Sequence, residues 1–203
     1  MEPTDTYKTI SKPVSDILLK ERKSKFYGYA FPITDDAEVK PLIDELRKAY
    51  PAANHVCYAW QLGVENYSYR ANDDGEPNNS AGMPIYGQIQ SFKVTNILIA
   101  VVRIFGGTKL GVGGLINAYK RTAQLTLENA RITKKIIKEE LTLSFEYAEM
   151  ETVMRFIKKN QLNLVSQELH INCKMIIAVR RKELKRIQKE LAAYHKITIS
   201  KQL

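Results

Sequence analysis

The chain has 203 residues and a net charge of +9, with 44% hydrophobic and 26% charged residues. That is the composition of a globular protein with a buried core and not of a disordered one. No apolar run approaches the roughly 18 residues that span a membrane, and the start, MEPTDTYKTI, has no secretory pattern.

In chain order, residues 1–14 are polar and interrupted by Pro3 and Pro13, which predicts a mobile start. Ile17 to Leu19 and Lys25 to Ile33 are aromatic and β-branched and read as strands. Asp35 and Asp36 cap a helix with Val39, Leu42, Ile43 and Leu46 at helical spacing, stopped by Pro51. His55 to Leu62 and Asn66 to Arg70 read as a hairpin turning at Gly63. The loop DDGEPNNSAGMP, residues 73–84, leads into a helix from near Ser80 or Ala81. Lys93 to Ile104 is apolar on both faces, which predicts a central buried strand. FGGTKLGVGGL, residues 105–115, follows, and then a helix from about Gly113 to Ala130.

From Glu140 the pattern runs strand, helix, strand, strand, helix, strand, the βαββαβ order of a ferredoxin-like module. The expected class is therefore α+β with two domains, 1–133 and 134–203, joined through a linker at residues 132–140. Charge divides the same way. Residues 1–133 hold 16 Lys/Arg against 14 Asp/Glu, and residues 134–203 hold 15 against 8. A basic last third is the electrostatic footprint expected of a nucleic-acid binder, and it is equally a solvated surface that keeps a small domain in solution.

Two segments carry chemistry. Gly106, Gly107, Gly111, Gly113 and Gly114 are five of the ten glycines, packed between a buried strand and a helix start. A helix N-terminus there suits an anion, Lys109 adds a mobile positive charge, and Arg103 stands at the carboxyl end of the strand. The loop matches neither GxGxxG nor GxxxxGK[ST]; a tight strand-to-helix turn would need fewer glycines, so it reads as a binding loop. DDGEP supplies Asp73, Asp74 and Glu76, acids that could hold a divalent cation, move a proton, cap the next helix or form a solvated turn. Arg103 could pair with one of them. His55 opens an aromatic strand near Cys57, with no hydrolytic signature around it. Cys57 and Cys173 lie outside any CxxC or His/Cys ligand spacing, which points to free thiols, no metal site and a cytoplasmic protein.

The ordered set Ser24-Lys25-Phe26, His55 with Cys57-Tyr58-Ala59, Asp74-Gly75-Glu76-Pro77, Ala81-Gly82 with Pro84-Ile85, and Val102-Arg103 with Phe105-Gly106-Gly107, Lys109-Leu110-Gly111 and Gly113-Gly114-Leu115 resembles the IMPACT (YigZ-like) family. The last third is similar to the DUF1949 module of bacterial members. The resemblance implies an N-terminal domain similar to the second domain of the fifth small-subunit ribosomal protein, and a C-terminal domain similar to domain V of elongation factor G. It also implies a setting in translation.

Two functions follow as expectations. In the first, the protein is non-enzymatic, needs no cofactor and binds RNA or the ribosome. Arg103, Lys109 and the glycine loop take a phosphate, and Lys182, Lys185, Arg186 and Lys189 add affinity for the backbone. In the second, it is an enzyme on a phosphorylated small molecule or nucleotide, with His55, Asp74 and Glu76 supplying proton transfer or holding a metal and the glycine loop holding the phosphate. A third, weaker option makes the loops architectural supports for a protein-binding surface with Trp60, Tyr67 or Tyr69.

Overall fold

The computed structural model describes residues 5–201. They form two compact units. One is Tyr7–Lys135, and the other joins the described N-terminal segment up to Thr6 to Ile136 and beyond. The class is mixed α+β, as expected.

The larger unit is built on a five-stranded sheet. Its strands are β2 (Val14–Glu21), β3 (Ser24–Pro32), β4 (His55–Leu62), β5 (Ser68–Asn72) and β6 (Ile97–Ile104), in the order β2-β3-β6-β4-β5. Every pairing is antiparallel. β6 is the centre, and its alternation sorts the two cores. Ile97, Ile99 and Val101 pack with α2 (Gly82–Phe92) and α3 (Gly111–Glu128). Leu98, Ala100 and Val102 pack with α1 (Val39–Ala49). Helices thus cover both faces of one sheet, which is why this strand has no polar side until Arg103.

Local signals explain the ends of these elements. Asp35 accepts a hydrogen bond from the Ala37 N–H at 2.8 Å, and Glu38 accepts from the Asp35 N–H at 3.0 Å, a capping box ahead of α1. β6 begins four residues later than the apolar pattern suggests, because Lys93 and Asn96 both adopt left-handed backbone (φ 55°).

The expected mobile start is a strand from Thr6. β1 (Thr6–Ile10) pairs with β7 (Ile132–Ile136), which occupies the segment read as a linker. Thr9 and Ile10 are buried, and Thr9 Oγ1 donates to the Asn96 carbonyl at 3.2 Å. Only the expectation for residues 1–4 falls outside the described residues.

The second unit runs β8 (Lys138–Glu146), α4 (Met150–Lys159), β9 (Asn163–Glu168), β10 (Asn172–Arg180), α5 (Leu184–Leu191) and β11 (Ile197–Lys201). The sheet order is β11-β8-β10-β9, with antiparallel neighbours throughout. Leu141, Leu143, Phe145, Met175, Ile177 and Val179 alternate inward against Phe156, Ile157, Ile187 and Leu191 of the helices. The βαββαβ order read from the sequence is the order observed.

Candidate functional site

Register across the sheet sets the floor of the site. Arg103 of β6 is paired with Phe26 of β3 on one side and His55 of β4 on the other. The three side chains therefore stand in one row on the face that α3 covers. The Arg103 side chain is 7% exposed, and its Nη1 donates to Glu76 Oε1 at 2.6 Å. Its guanidinium carbon lies 5.6 Å from the Phe26 ring centroid and 5.5 Å from that of Phe105, a stacked cation between two rings.

The DDGEP loop separates its three acids. Asp73 Oδ1 accepts from the N–H groups of Ala81 and Gly82, at 2.9 and 2.8 Å, and its Oδ2 from that of Asn79 at 2.8 Å. It thereby caps the start of α2. Asp74 turns the other way: Oδ2 accepts from the Val56 N–H at 2.6 Å and Oδ1 from Arg47 at 2.5 Å. Glu76 alone enters the row beside Arg103. Among the described residues no group of three or more His, Cys, Asp or Glu is placed to hold a metal ion. The three acids are therefore not a joint cation site, because backbone N–H groups and arginines have already claimed them singly.

Glu76 Oε1 is the hub. It accepts from Arg103, from the Tyr119 hydroxyl at 2.8 Å, and lies 3.9 Å from His55 Nε2. Tyr119 comes from α3 and stands edge-on to Phe26, with ring centroids 5.2 Å apart. Nothing in the local sequence singles it out; its role depends on α3 lying over the row. Burial pushes the Tyr119 hydroxyl pKa well up, helped by Cys57 and Glu76 beside it. Burial likewise pushes the Cys57 thiol up, against the hydrogen bond to Tyr119, and the thiol sits 3.0 Å from the Asp73 carbonyl and 3.3 Å from the Tyr119 oxygen.

His55 is held by its other nitrogen. Nδ1 lies 2.7 Å from the Asp74 carbonyl oxygen, which can only accept, so Nδ1 carries the hydrogen. In the neutral ring this leaves the lone pair on Nε2, towards Glu76. The carbonyl reaches the ring through two successive left-handed residues, Asp74 (φ 45°) and Gly75 (φ 86°), a path that favours glycine at the second.

His55, Glu76 and Arg103 line a cavity of about 430 Å³, together with Lys109, Gly111 and the apolar Phe105, Val112, Leu110 and Leu115. α3 begins here with no side chain capping it, so the first backbone N–H groups of the helix stay available. Lys109 is exposed and makes no ion pair among the described residues. Glu76 and Arg103 offset one another, so Lys109 and the positive end of the helix dipole are the remaining positive groups at the cavity.

The expected site residues thus divide. His55, Glu76, Arg103, Lys109 and Gly111 converge on the cavity, whereas the Asp74 carboxylate is turned away. Gly106 lies against the backbone of Lys23 and Ser24, where an added Cβ would meet Lys23 C at 2.1 Å, and Gly114 lies against Leu110. Gly107 and Gly113 have open space beside them. Lys182, Lys185, Arg186 and Lys189 belong to the second unit, on or just before α5. Arg186 is already shared between Glu190 at 2.6 Å and Glu183 at 3.7 Å, while Lys185 and Lys189 are exposed and make no ion pair among the described residues.

A two-unit α+β chain with a cavity floored by Glu76 and Arg103 at the carboxyl end of a central strand is the class that fold and site define. The Impact N-terminal domain matches residues 22–127, and the chain belongs to that family. It is similar to an IMPACT family member of Haemophilus influenzae, 28% identical over 88% of this chain and 89% of that protein. It is also similar to IMPACT family member YigZ of Escherichia coli, 36% identical over 58% of this chain and 59% of that one. A crystal structure titled only as a hypothetical protein shares the fold across 99% of both chains, with a TM-score of 0.77 at 22% identity. No helix among the described residues is long and apolar enough to cross a membrane.

Proposed function

We propose that this protein associates with RNA or the ribosome in the cytoplasm, acts in translation or its regulation, and binds phosphate without turning it over. The observation that carries this reading is the cavity. An uncapped helix start, an unpaired lysine and a buried arginine meet there, and all three are groups that bind phosphate. The excess of 15 Lys/Arg over 8 Asp/Glu in residues 134–203 supports it with a second, sequence-independent attraction. The likeness to domains of a ribosomal protein and an elongation factor that the sequence resemblance implies would support the setting by analogy.

The test is RNA binding by the full chain across a salt series. Affinity falls steeply with salt, with a log–log slope of about −0.7 per phosphate contacted for single strands. Replacing both Lys185 and Lys189 with alanine removes two contacts and makes the slope shallower by about 1.4. RNA affinity indifferent to ionic strength would count against the reading.

An enzymatic reading rests on His55, whose Nε2 borders the cavity. Phosphate release or transfer from a nucleotide that disappears in His55→Ala while ligand binding persists would favour it. Glu76 is a poor base in either case, because its Oε1 already accepts from Arg103 and Tyr119.

A further inference from the structure

Arg103 is only half used. Glu76 takes Nη1, yet Nε is buried without a partner and Nη2 makes no hydrogen bond among the described residues. Nε and Nη2 form the side-on edge of the guanidinium, the edge that matches two oxygens of one phosphate or carboxylate. A buried donor left unsatisfied is costly, and each such group in a folded protein calls for an explanation. Nη2 is the donor of this edge that keeps accessible surface, and Arg103 lines the same cavity as Lys109 and the uncapped start of α3, where a bound oxyanion would meet it.

The mouth of that cavity is not polar. Phe105 and Val112 both line it and are 40% and 52% exposed. Phe105 already has the Arg103 guanidinium against it, and its exposure leaves ring surface for a second flat group. A ligand that satisfies both halves carries a phosphate at one end and a planar, weakly polar ring at the other. A volume of about 430 Å³ is in the range of single small-ligand sites.

We propose that the cavity binds one nucleotide carrying a terminal phosphate monoester, the phosphate on Arg103, Lys109 and the α3 start and the base against Phe105. This rests on the phosphate reading of the cavity given above and names its ligand. Stacking on a single ring tolerates any base, so the site reads the phosphate and the presence of a base, not its identity. The same chemistry is offered by a free nucleoside monophosphate and by the phosphorylated end of an RNA strand.

The test is calorimetric titration of the full chain at low salt with adenosine 5′-monophosphate, adenosine and inorganic phosphate. One short RNA follows in 5′-phosphate and 5′-hydroxyl forms. The monophosphate binds more tightly than adenosine or phosphate alone. Arg103→Lys and Lys109→Ala each weaken it on the order of tenfold. Phe105→Ala weakens the monophosphate on the order of tenfold and inorganic phosphate by clearly less. Arg103 is buried, so a folding defect could mimic its loss; Lys109 is exposed and carries no such risk. Val112→Asp gives an independent check. An acid in the first turn of α3 favours the helix and raises or preserves thermal stability, yet it repels the phosphate and lowers affinity.

A monophosphate that binds no better than inorganic phosphate overturns the inference, as does unchanged binding in Lys109→Ala and Val112→Asp. Tighter binding of the 5′-phosphate RNA assigns the ligand to an RNA end. Equal binding of the two RNAs beside a tight monophosphate assigns it to a free nucleotide. Salt-dependent RNA binding with no monophosphate binding removes this inference and leaves the RNA reading standing. Monophosphate binding without any RNA affinity does the reverse.

Discussion

Glu76 and Arg103 meet at 2.6 Å in the floor of the cavity, the one 4% and the other 7% exposed at the side chain. The pair comes from a loop and from the end of the central strand, and Tyr119 of a third element closes it. It joins the polar loop to the sheet, so site and fold share the same contact.

Removing one member of that pair leaves the other charged and buried. Glu76→Gln is expected to cost about 3–5 kcal/mol of unfolding free energy, seen as a lowered denaturant midpoint. The double change Glu76→Leu with Arg103→Met costs less than Glu76→Gln alone, because no lone charge remains. Measured beside Glu76→Leu alone and Arg103→Met alone, a double effect equal to their sum would show that the pair is not coupled.

Two glycines of the same loop give opposite results. Gly106→Ala forces a Cβ onto the Lys23 backbone at 2.1 Å and is destabilising. Gly113 lies within α3, and its built Cβ has no atom within 4 Å. Gly113→Ala therefore stabilises by about 0.5–1 kcal/mol. Thermal melts of the two variants, run side by side, check the pair.

Acid weakens the larger unit through Asp16. Its carboxylate accepts from the Tyr29 and Tyr50 hydroxyls, and these bonds hold its pKa below the ordinary value of 3.8, against a smaller effect of burial. A carboxyl depressed in the folded state contributes stability above its unfolded pKa and loses it as pH falls through the folded one. Asp16→Asn should therefore flatten the fall of the urea midpoint between about pH 5 and pH 2. Asparagine tolerates the left-handed backbone at this position (φ 59°), so the change adds little strain. An unaltered pH profile in the variant would refute the assignment.

Both thiols are closed to reagents in the folded chain. Cys57 and Cys173 are free and buried, and the Cys57 pKa is raised, so little thiolate forms at pH 8. An aromatic disulfide reagent is expected to titrate neither in native buffer and both in denaturant. Rapid native reaction at Cys57 would mean that the α3 side of the cavity opens readily.

Much of this architecture is legible locally. The strand His55–Leu62 has the bounds its aromatic run suggests, and the alternation of β8 and β10 with the two amphipathic helices spells out the second unit. β1 was not legible because its partner is remote: Ser11 meets Arg131 across 120 positions. A polar segment broken by prolines carries no mark of such a partner. Among the three acids of DDGEP, composition could not say which one faces the cavity.

The sequence by itself determined the order of elements from β2 to α3 and from β8 to β11, the α+β class, the basic last third and the glycine loop at a strand-to-helix junction. Each of these follows from the pattern of side chains along one stretch of chain. Tertiary structure alone decided that Asp73 caps a helix, Asp74 bonds β4 and Glu76 enters the cavity. It alone placed Tyr119 on Glu76 and left one edge of Arg103 without an acceptor. What a polar side chain does depends on which donors the fold brings within about 3 Å of it, and those donors come from distant parts of the chain.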